Sequence, residues 1–534
     1  MSCDVPPTQL KFCPICYKES VILNPSIYPT KATKSPENPL QAGRSNTNNR
    51  RYYCALLKMA EAPTSPETAA TLPPTQANKQ QIDPWNVKGE VGADGITKAI
   101  NYLSLVEEFG TKLLSDDGIL ERFEKVTGHK PHRFMRRGIV FSHRDLNLIL
   151  DRYERGEPFF LYTGRGPSSD SMHIGHTVPF EFTKWLQDVF QVPLIIMMTD
   201  DEKYLFSEKR TIEEVQSYTR TNAADIIAVG FDKEKTFIFS DYDYMGGAFY
   251  RNVTRISKHV TLNVARAVFG FNDSSCIGKI HFGAVQGATS FASSFPHIFG
   301  TDETKTHQIP CLIPCAIDQD PYFRLTRDVA SRLHFAKPSL IHARFLDALQ
   351  GPGTKMSASV DTSAIFMKDT PKQIKTKVNK YAFSGGKVSE AEHREQGGDT
   401  DVDVAYQYLT FFMEDDEELE RIKIAYQKGE LLTGELKALC IAELEKYVLG
   451  FQERRSVIDD AVIDSYMEIR PLEWTGNPNP IAAAAPAEGP SAAAGESVDG
   501  VPKLTKNQEK KLAKEKMIAD KKAAKEKEKE KQQA

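Results

Sequence analysis

Phe159-Phe160-Leu161-Tyr162-Thr163-Gly164-Arg165-Gly166-Pro167-Ser168-Ser169-Asp170-Ser171-Met172-His173-Ile174-Gly175-His176 passes from an apolar run into a Gly/Pro/Ser turn. Beyond it Val178, Phe182, Trp185, Leu186, Val189 and Phe190 recur at helical spacing, with Pro179 expected in the first turn, where proline is tolerated. A second apolar run at 192–198 follows at once. Strand, turn, helix and strand make a βαβ unit, and its helix N-terminus faces the carboxyl ends of the strands, where open parallel sheets bind ligands. Free N–H groups and the positive end of the helix dipole suit a phosphate there. His173 and His176, three apart on the first turn, are placed to donate to phosphate oxygens, and Gly175 leaves room for a flat base. An isolated HxGH is more often two surface histidines; the strand, turn and helix around this one favour the phosphate.

Working outward, short β-prone runs at 159–162, 192–198, 236–240 and 311–317 alternate with helical periods up to about residue 382. From 402 to 455 strands vanish, and Val404, Tyr408 and Phe412, then Leu436, Cys440, Leu444 and Tyr447, recur every three or four residues. The expectation is an α/β fold: a parallel-sheet domain at 82–382 followed by an all-α domain at 383–470. Residues 1–81 have the Pro/Ser/Thr/Asn/Ala-rich composition of a disordered arm, and Met59 would also serve as a start. Residues 471–502 read as a flexible Ala/Pro/Gly linker, and 503–534 as a Lys-rich tail.

The whole chain of 534 residues is close to neutral, with 68 Lys+Arg against 72 Asp+Glu. The sum hides a division: residues 503–534 hold 12 lysines and 6 acidic residues, a local +6, leaving about −10 on the rest. Ordinary hydrophobic (40%) and aromatic (10%) fractions exclude collagen-like and wholly disordered classes. No apolar run approaches the ~18–20 residues of a membrane span, so a soluble, cytoplasmic protein without a membrane partner is expected. Eight cysteines without a secretion signal read as reduced thiols. Cys3, Cys13, Cys16 and Cys54 fit no common zinc spacing, and Cys276, Cys311, Cys315 and Cys440 read as small buried hydrophobes.

A second chemical element lies about 180 residues downstream of the histidines, in Gly351-Pro352-Gly353-Thr354-Lys355-Met356-Ser357-Ala358-Ser359. Gly and Pro make a mobile loop, Lys355 brings one ammonium, and Ser357 and Ser359 bring hydroxyls suited to phosphate. A loop lysine is normally just solvated; this one becomes a catalytic candidate if the loop closes beside His173 and His176.

These two pieces resemble the paired HIGH (173–176) and KMSAS (355–359) signatures of the class I aminoacyl-tRNA synthetases. YTGRGPSS (162–169), TDDEKY (199–204), AIDQDPYFR (316–324), LTRD (325–328) and RRGIVFSHRD (136–145) resemble the tryptophanyl-tRNA synthetases of the eukaryotic cytosolic type. The likeness runs over about 82–467.

It implies a Rossmann-like catalytic domain, an anticodon-binding helical domain, a homodimer, and activation of L-tryptophan by ATP with Mg²⁺ before transfer to tRNA(Trp). His173, His176 and Lys355 would be the catalytic donors. Arg165, Gly166, Gly175, Asp318, Met356, Ser357 and Ser359 would contact ATP; Tyr162, Met197, Glu202, Gln286 and Gln319 would surround tryptophan. No metal ligand is expected. Where vertebrate relatives carry glutamine, Met197 offers only a weak acceptor, so the indole N–H needs another partner, such as Tyr162. In the tail, Lys510, Lys511 and Lys514 would grip the tRNA backbone. The competing readings are a tyrosyl-tRNA synthetase of the same class, a small HxGH nucleotidylyltransferase, and a catalytically silent RNA-binding or signalling relative. DQDPYFR and YTGRGPSS disfavour the first, the long helical region the second, and the intact donor set the third.

Overall fold

The apolar runs become the middle of a seven-stranded sheet in the computed structural model, which describes residues 80–82, 84, 87–90, 98–357 and 360–481. Strands β1 (Gln81–Ile82) and β2 (Val87–Lys88) pair as a small antiparallel hairpin. The main sheet takes β3 (Lys112–Leu113), β4 (Val140–Arg144), β5 (Phe160–Arg165), β6 (Leu194–Met198), β7 (Thr236–Ser240), β8 (Cys311–Ala316) and β9 (Ser339–Ala343). Their order is β3-β4-β9-β8-β5-β6-β7. Five strands, β5 to β9, run parallel to one another, whereas β4 joins β9 antiparallel and β3 joins β4 antiparallel. The four expected strands are all present; β4 and β9 were not anticipated.

Because β6 lies on one side of β5 and β8 on the other, the chain order reverses at β5, and a crevice opens beyond its carboxyl end. Helix α1 (Ile174–Phe190) begins there. Pro179 lies one turn further inside α1 than expected and removes the bond that its N–H would have given to the Gly175 carbonyl.

Alternation along the buried strands sorts side chains onto two faces. Phe160, Tyr162, Ile195 and Met197 pack on one side with Phe282, Tyr322 and Phe323. Leu161, Leu194, Ile196 and Met198 pack on the other with α1. That second core continues without a break to Val404, Leu436 and Tyr466. The helical region, α3 (Val404–Phe412), α4 (Asp416–Gln427) and α5 (Thr433–Ser456), therefore shares its apolar interior with the sheet side; helix α2 (Asp320–Leu333) follows β8 in the chain.

Two expectations are corrected. Residues 471–481 are not free linker: Thr475 and Gly476 N–H both donate to the Gln191 carbonyl, Ile481 N–H donates to Glu154 at 2.9 Å, and Leu472 is buried. Cys276 is exposed at the start of Ile277–Ala288 rather than buried, and Cys315 is half-buried; Cys311 and Cys440 are buried as expected. The expected arm up to residue 79, Cys3, Cys13, Cys16, Cys54, the rest of the linker, and the tail with Lys510, Lys511 and Lys514 lie outside the described residues, as does Ser359.

Candidate active site

Beyond the end of β5 lies a cavity of about 480 Å³, a size suited to small ligands. Its wall brings together residues far apart in sequence: Tyr162, Arg165 and Gly166 from β5 and its turn, His173, Gly175 and His176 from the start of α1, Glu202, Gln286, Asp318, Gln319, and Lys355 to Ser357. Met197 is absent from that wall. It is fully buried behind Tyr162, where its sulfur lies 3.4 Å from the Tyr162 hydroxyl and 3.1 Å from the Thr289 hydroxyl. A larger cleft of about 730 Å³ lies across Arg344–Leu346, walled by Arg136, Arg137 and Tyr406, and holds none of these groups.

The two imidazoles stack at 3.5 Å between centroids, 22° apart in plane. The His173 N–H donates to His176 Nδ1 at 3.3 Å, which leaves the His176 proton on Nε2. Burial, reinforced by the nearby Arg165 and Lys355 cations, lowers His173 to about 3 and pushes His176 well below its ordinary range. Both rings are neutral hydrogen-bond donors at neutral pH. The Ile174 N–H is already taken by the Ile365 carbonyl at 2.9 Å, so that N–H of the first turn is not free for a ligand.

Three cavity-wall groups have buried polar atoms without a protein partner: His173 Nδ1, Arg165 Nη2 and Asp318 Oδ1. Unpaired buried donors and acceptors cost free energy, so their convergence marks a place for a ligand. Arg165 is held on its other side by Asn222, 3.1 Å from Nε, and burial lowers its pKa to about 10, leaving it cationic. Lys355 Nζ lies 3.6 Å from Asp318 Oδ2. Its loop is hinged by Gly351 and Gly353, both at positive φ, and is anchored by an antiparallel bridge from Lys355 to Asp347. Gly175 is required by its neighbours, since a Cβ there would stand 2.9 Å from Met356 Sδ and 3.2 Å from the His173 ring.

Tyr162 accepts from Gln286 Nε2 at 2.5 Å, and the Phe323 ring meets it edge-on at 5.8 Å. With Phe282 and Tyr322 these rings make an aromatic chamber at the end of β5. Glu202 is paired with Lys203, 2.7 Å from Oε2 and 2.9 Å from Oε1, and accepts from Thr199 at 3.0 Å.

The family pattern described as tRNA synthetases class I (W and Y) matches residues 154–448, more than half of the chain. The chain belongs to that family. It is 57% identical to the cytoplasmic tryptophan--tRNA ligase of Saccharomyces cerevisiae over 408 residues, 76% of this chain and 93% of that one. It is 59% identical to the cytoplasmic tryptophan--tRNA ligase of Schizosaccharomyces pombe, covering 74% and 99%. The solved tryptophanyl-tRNA synthetase of Plasmodium falciparum superposes with a TM-score of 0.64 at 46% identity, covering 69% of this chain and 95% of that one.

Within this synthetase, sequence reasoning missed Lys203, Phe282, Tyr322 and Phe323. Lys203 follows Glu202 inside one quoted motif, and Tyr322 and Phe323 lie in another, three and four residues beyond Gln319; Phe282 had no local signal. A second missed feature is the buried group Asp200, Asp201 and Asp241, whose carboxylates lie within 4.8 Å of one another. Ser240 and Thr219 donate to Asp200, whereas neither Asp241 oxygen has a conventional donor. Burial raises Asp201 to about 6 and Asp241 much further, so the pair holds a proton between its carboxyls at neutral pH.

Proposed function

We propose that the enzyme activates L-tryptophan with ATP and transfers it to tRNA(Trp), with the residues of this one cavity in the roles that follow. The substrate carboxylate attacks the α-phosphorus, an acyl–phosphate bond forms, the α–β phosphoanhydride bond breaks, and pyrophosphate leaves. Negative charge grows on the α-phosphoryl oxygens and on the leaving group, so fixed donors rather than a base supply the acceleration. The convergence of neutral His173 and His176, cationic Arg165 and the hinged Lys355 on one cavity is the observation that carries this reading.

His176 Nε2–H and Arg165 serve the α-phosphate side. Lys355 leaves Asp318 and closes over the pyrophosphate together with Ser357; Ser359, two residues further along the sequence, is a proposed second hydroxyl donor. Gly175, with Met356 against it, is the seat for the adenine; Gly166 lets the chain approach the phosphates. Mg²⁺ enters as the counter-ion of ATP, since the cavity carboxylates Glu202 and Asp318 already face lysines.

Tryptophan lies in the aromatic chamber, with its ammonium on Glu202 in place of Lys203 and its carboxylate near Gln319. Tyr162 can donate its proton to Met197 and accept from Gln286, which leaves a second lone pair for the indole N–H. A polar contact of that kind discriminates substrates by ~10⁴–10⁵, whereas packing alone gives about 10–200-fold.

The division into a catalytic domain at 82–382 and an anticodon-binding domain at 383–470 is supported by the described elements after residue 383 being helices alone, which share one apolar interior with the sheet side. Lys510, Lys511 and Lys514 remain the proposed salt-dependent tRNA contacts. A homodimer is supported by exposed Tyr250, Leu262, Val264 and Ile277 on neighbouring helices. A cytoplasmic location follows the naming of the relatives, and among the described residues no helix is long and apolar enough to cross a membrane.

Tryptophan-dependent ATP–pyrophosphate exchange tests the reading. Lys355→Ala should lose ~10²–10³ in rate. Comparable turnover of tyrosine, or full activity in Lys355→Ala, would overturn it.

A further inference from the structure

The motif at 136–145 is a sequence signature that the reaction itself leaves unused. Its strand, β4, joins the sheet antiparallel to β9, and its two ends reach different parts of the molecule. At the start, Arg137 Nε donates to Asp416 of α4 at 2.8 Å, and Arg137 Nη1 donates to the carbonyls of Thr410 and Met413 at 2.7 Å. At the finish, Arg144 reaches Asp320, the first residue of α2, with Nε and Nη2 at 2.7 and 2.8 Å. Its Nη1 also donates to Gly110 at 3.0 Å, and Nη2 to the Phe109 carbonyl. The guanidinium thus joins one carboxylate to two main-chain oxygens, the fork geometry that an ammonium cannot reproduce.

Asp320 has no solvent exposure, and it also faces His342 Nε2 at 3.1 Å, whose Nδ1 in turn meets the Ser142 hydroxyl at 3.0 Å. Burial alone would raise its pKa, but the bonds from His342 and Arg144 outweigh it and hold the carboxyl at about 2. The anchored carboxylate directly follows Ile317–Gln319, the short turn that carries Asp318 and Gln319 into the cavity. Nothing about this clamp touches substrate. Its reach is through the turn.

We propose that Arg144 is a positioning residue for tryptophan: by tying Asp320 to the carbonyls of Phe109 and Gly110, it sets the turn that presents Gln319 to the substrate and Asp318 to Lys355. The proposal rests on the tryptophan-activation reading above. A displaced turn moves a binding group without removing any phosphate donor, so the effect falls on tryptophan KM more than on kcat.

The test is pyrophosphate exchange with tryptophan and ATP varied separately, alongside thermal melting. Wild-type activity with tryptophan checks the underlying reading independently of the variants. Arg144→Lys keeps a cation beside Asp320 but loses the fork; the double variant Arg144→Met with Asp320→Asn removes the buried charge together with its partner, so it folds even where Arg144→Met alone does not. The expected result for both is a roughly tenfold rise in tryptophan KM, with kcat within about threefold of wild type. Unchanged tryptophan KM in either folded variant, or a fall in kcat that simply follows a loss of folded protein, would overturn the proposal.

Discussion

Gly175→Ala separates the stability of α1 from its catalytic use, because the two respond in opposite directions. In the first turn of a helix, alanine in place of glycine contributes up to about 1 kcal/mol. Gly175 does not carry a positive φ, so the backbone accepts the change. The methyl group, however, would stand 2.9 Å from Met356 Sδ and 3.2 Å from both Cε1 and Nδ1 of His173. His173 has little freedom to retreat: it is buried, stacked at 3.5 Å on His176, and backed by the Phe366 ring at 6.2 Å. Met356 must therefore swing away, and Lys355 is its chain neighbour. The methyl also fills the space above Gly175 where a base would lie. Losing one preorganised donor costs ~3–4 kcal/mol of barrier, or about 10²–10³ in rate. The expected outcome is kcat/KM for ATP down by that factor in pyrophosphate exchange, with a melting temperature equal to or above wild type. Activity within threefold of wild type, or a large drop in melting temperature, would refute both the adenine seat and the packing argument.

Two further outcomes follow from the titrating groups. Since burial keeps His173 at about 3 and His176 lower still, the rate of tryptophan activation should show no inflection from either ring between pH 6 and 8. A fall as pH rises through about 6.5 that disappears in His176→Asn would mean that an imidazolium is required. Asp201 has its folded pKa raised to about 6 by burial, so the native state holds a proton that the unfolded chain has already released. Stability contributed by that proton is lost as pH climbs from about 4 to 6, the reverse of a salt-bridged aspartate. Asp201→Asn keeps an oxygen for the Glu202 N–H and should be the more stable protein above pH 6, by up to about 3 kcal/mol, with the difference vanishing near pH 4 in denaturant melts. Equal stabilities at pH 8 would contradict the buried-acid account.

The centre of the fold was readable because β5, β6, β7 and β8 are continuous apolar runs bounded by turn residues, the pattern of strands buried on both faces. Strand β4 contains Ser142, His143 and Arg144, and its partner β9 lies some 200 residues away, so no local period marks either as a strand. The proposed phosphate donors come together in one cavity, since their spacing is set by a single turn of α1 and one loop. The amino-acid side was harder. Tyr162 and Met197 share a face of the sheet by strand alternation, but the tyrosine ring lies over the methionine, a difference of depth that one-dimensional spacing does not encode. Phe282 and Tyr322 reach the chamber from separate helices, and the exposure of Cys276 reflects its place at a helix start, where neighbouring residues turn away from the core.

The Glu202–Lys203 pair changes what it means for the amino acid to arrive. On the proposed binding mode the chamber does not present a bare carboxylate to the substrate ammonium; one cation would be exchanged for another, and the net electrostatic gain would be small. Affinity for tryptophan should then vary little with ionic strength, with recognition resting on the indole. Lys203 already lies against the phosphate turn, since a Cβ on Gly166 would fall only 1.9 Å from its Cε. If tryptophan frees it from Glu202 as proposed, its charge would remain beside that turn, so each substrate would prepare the charge that favours the other, and the coupling between them would be reciprocal.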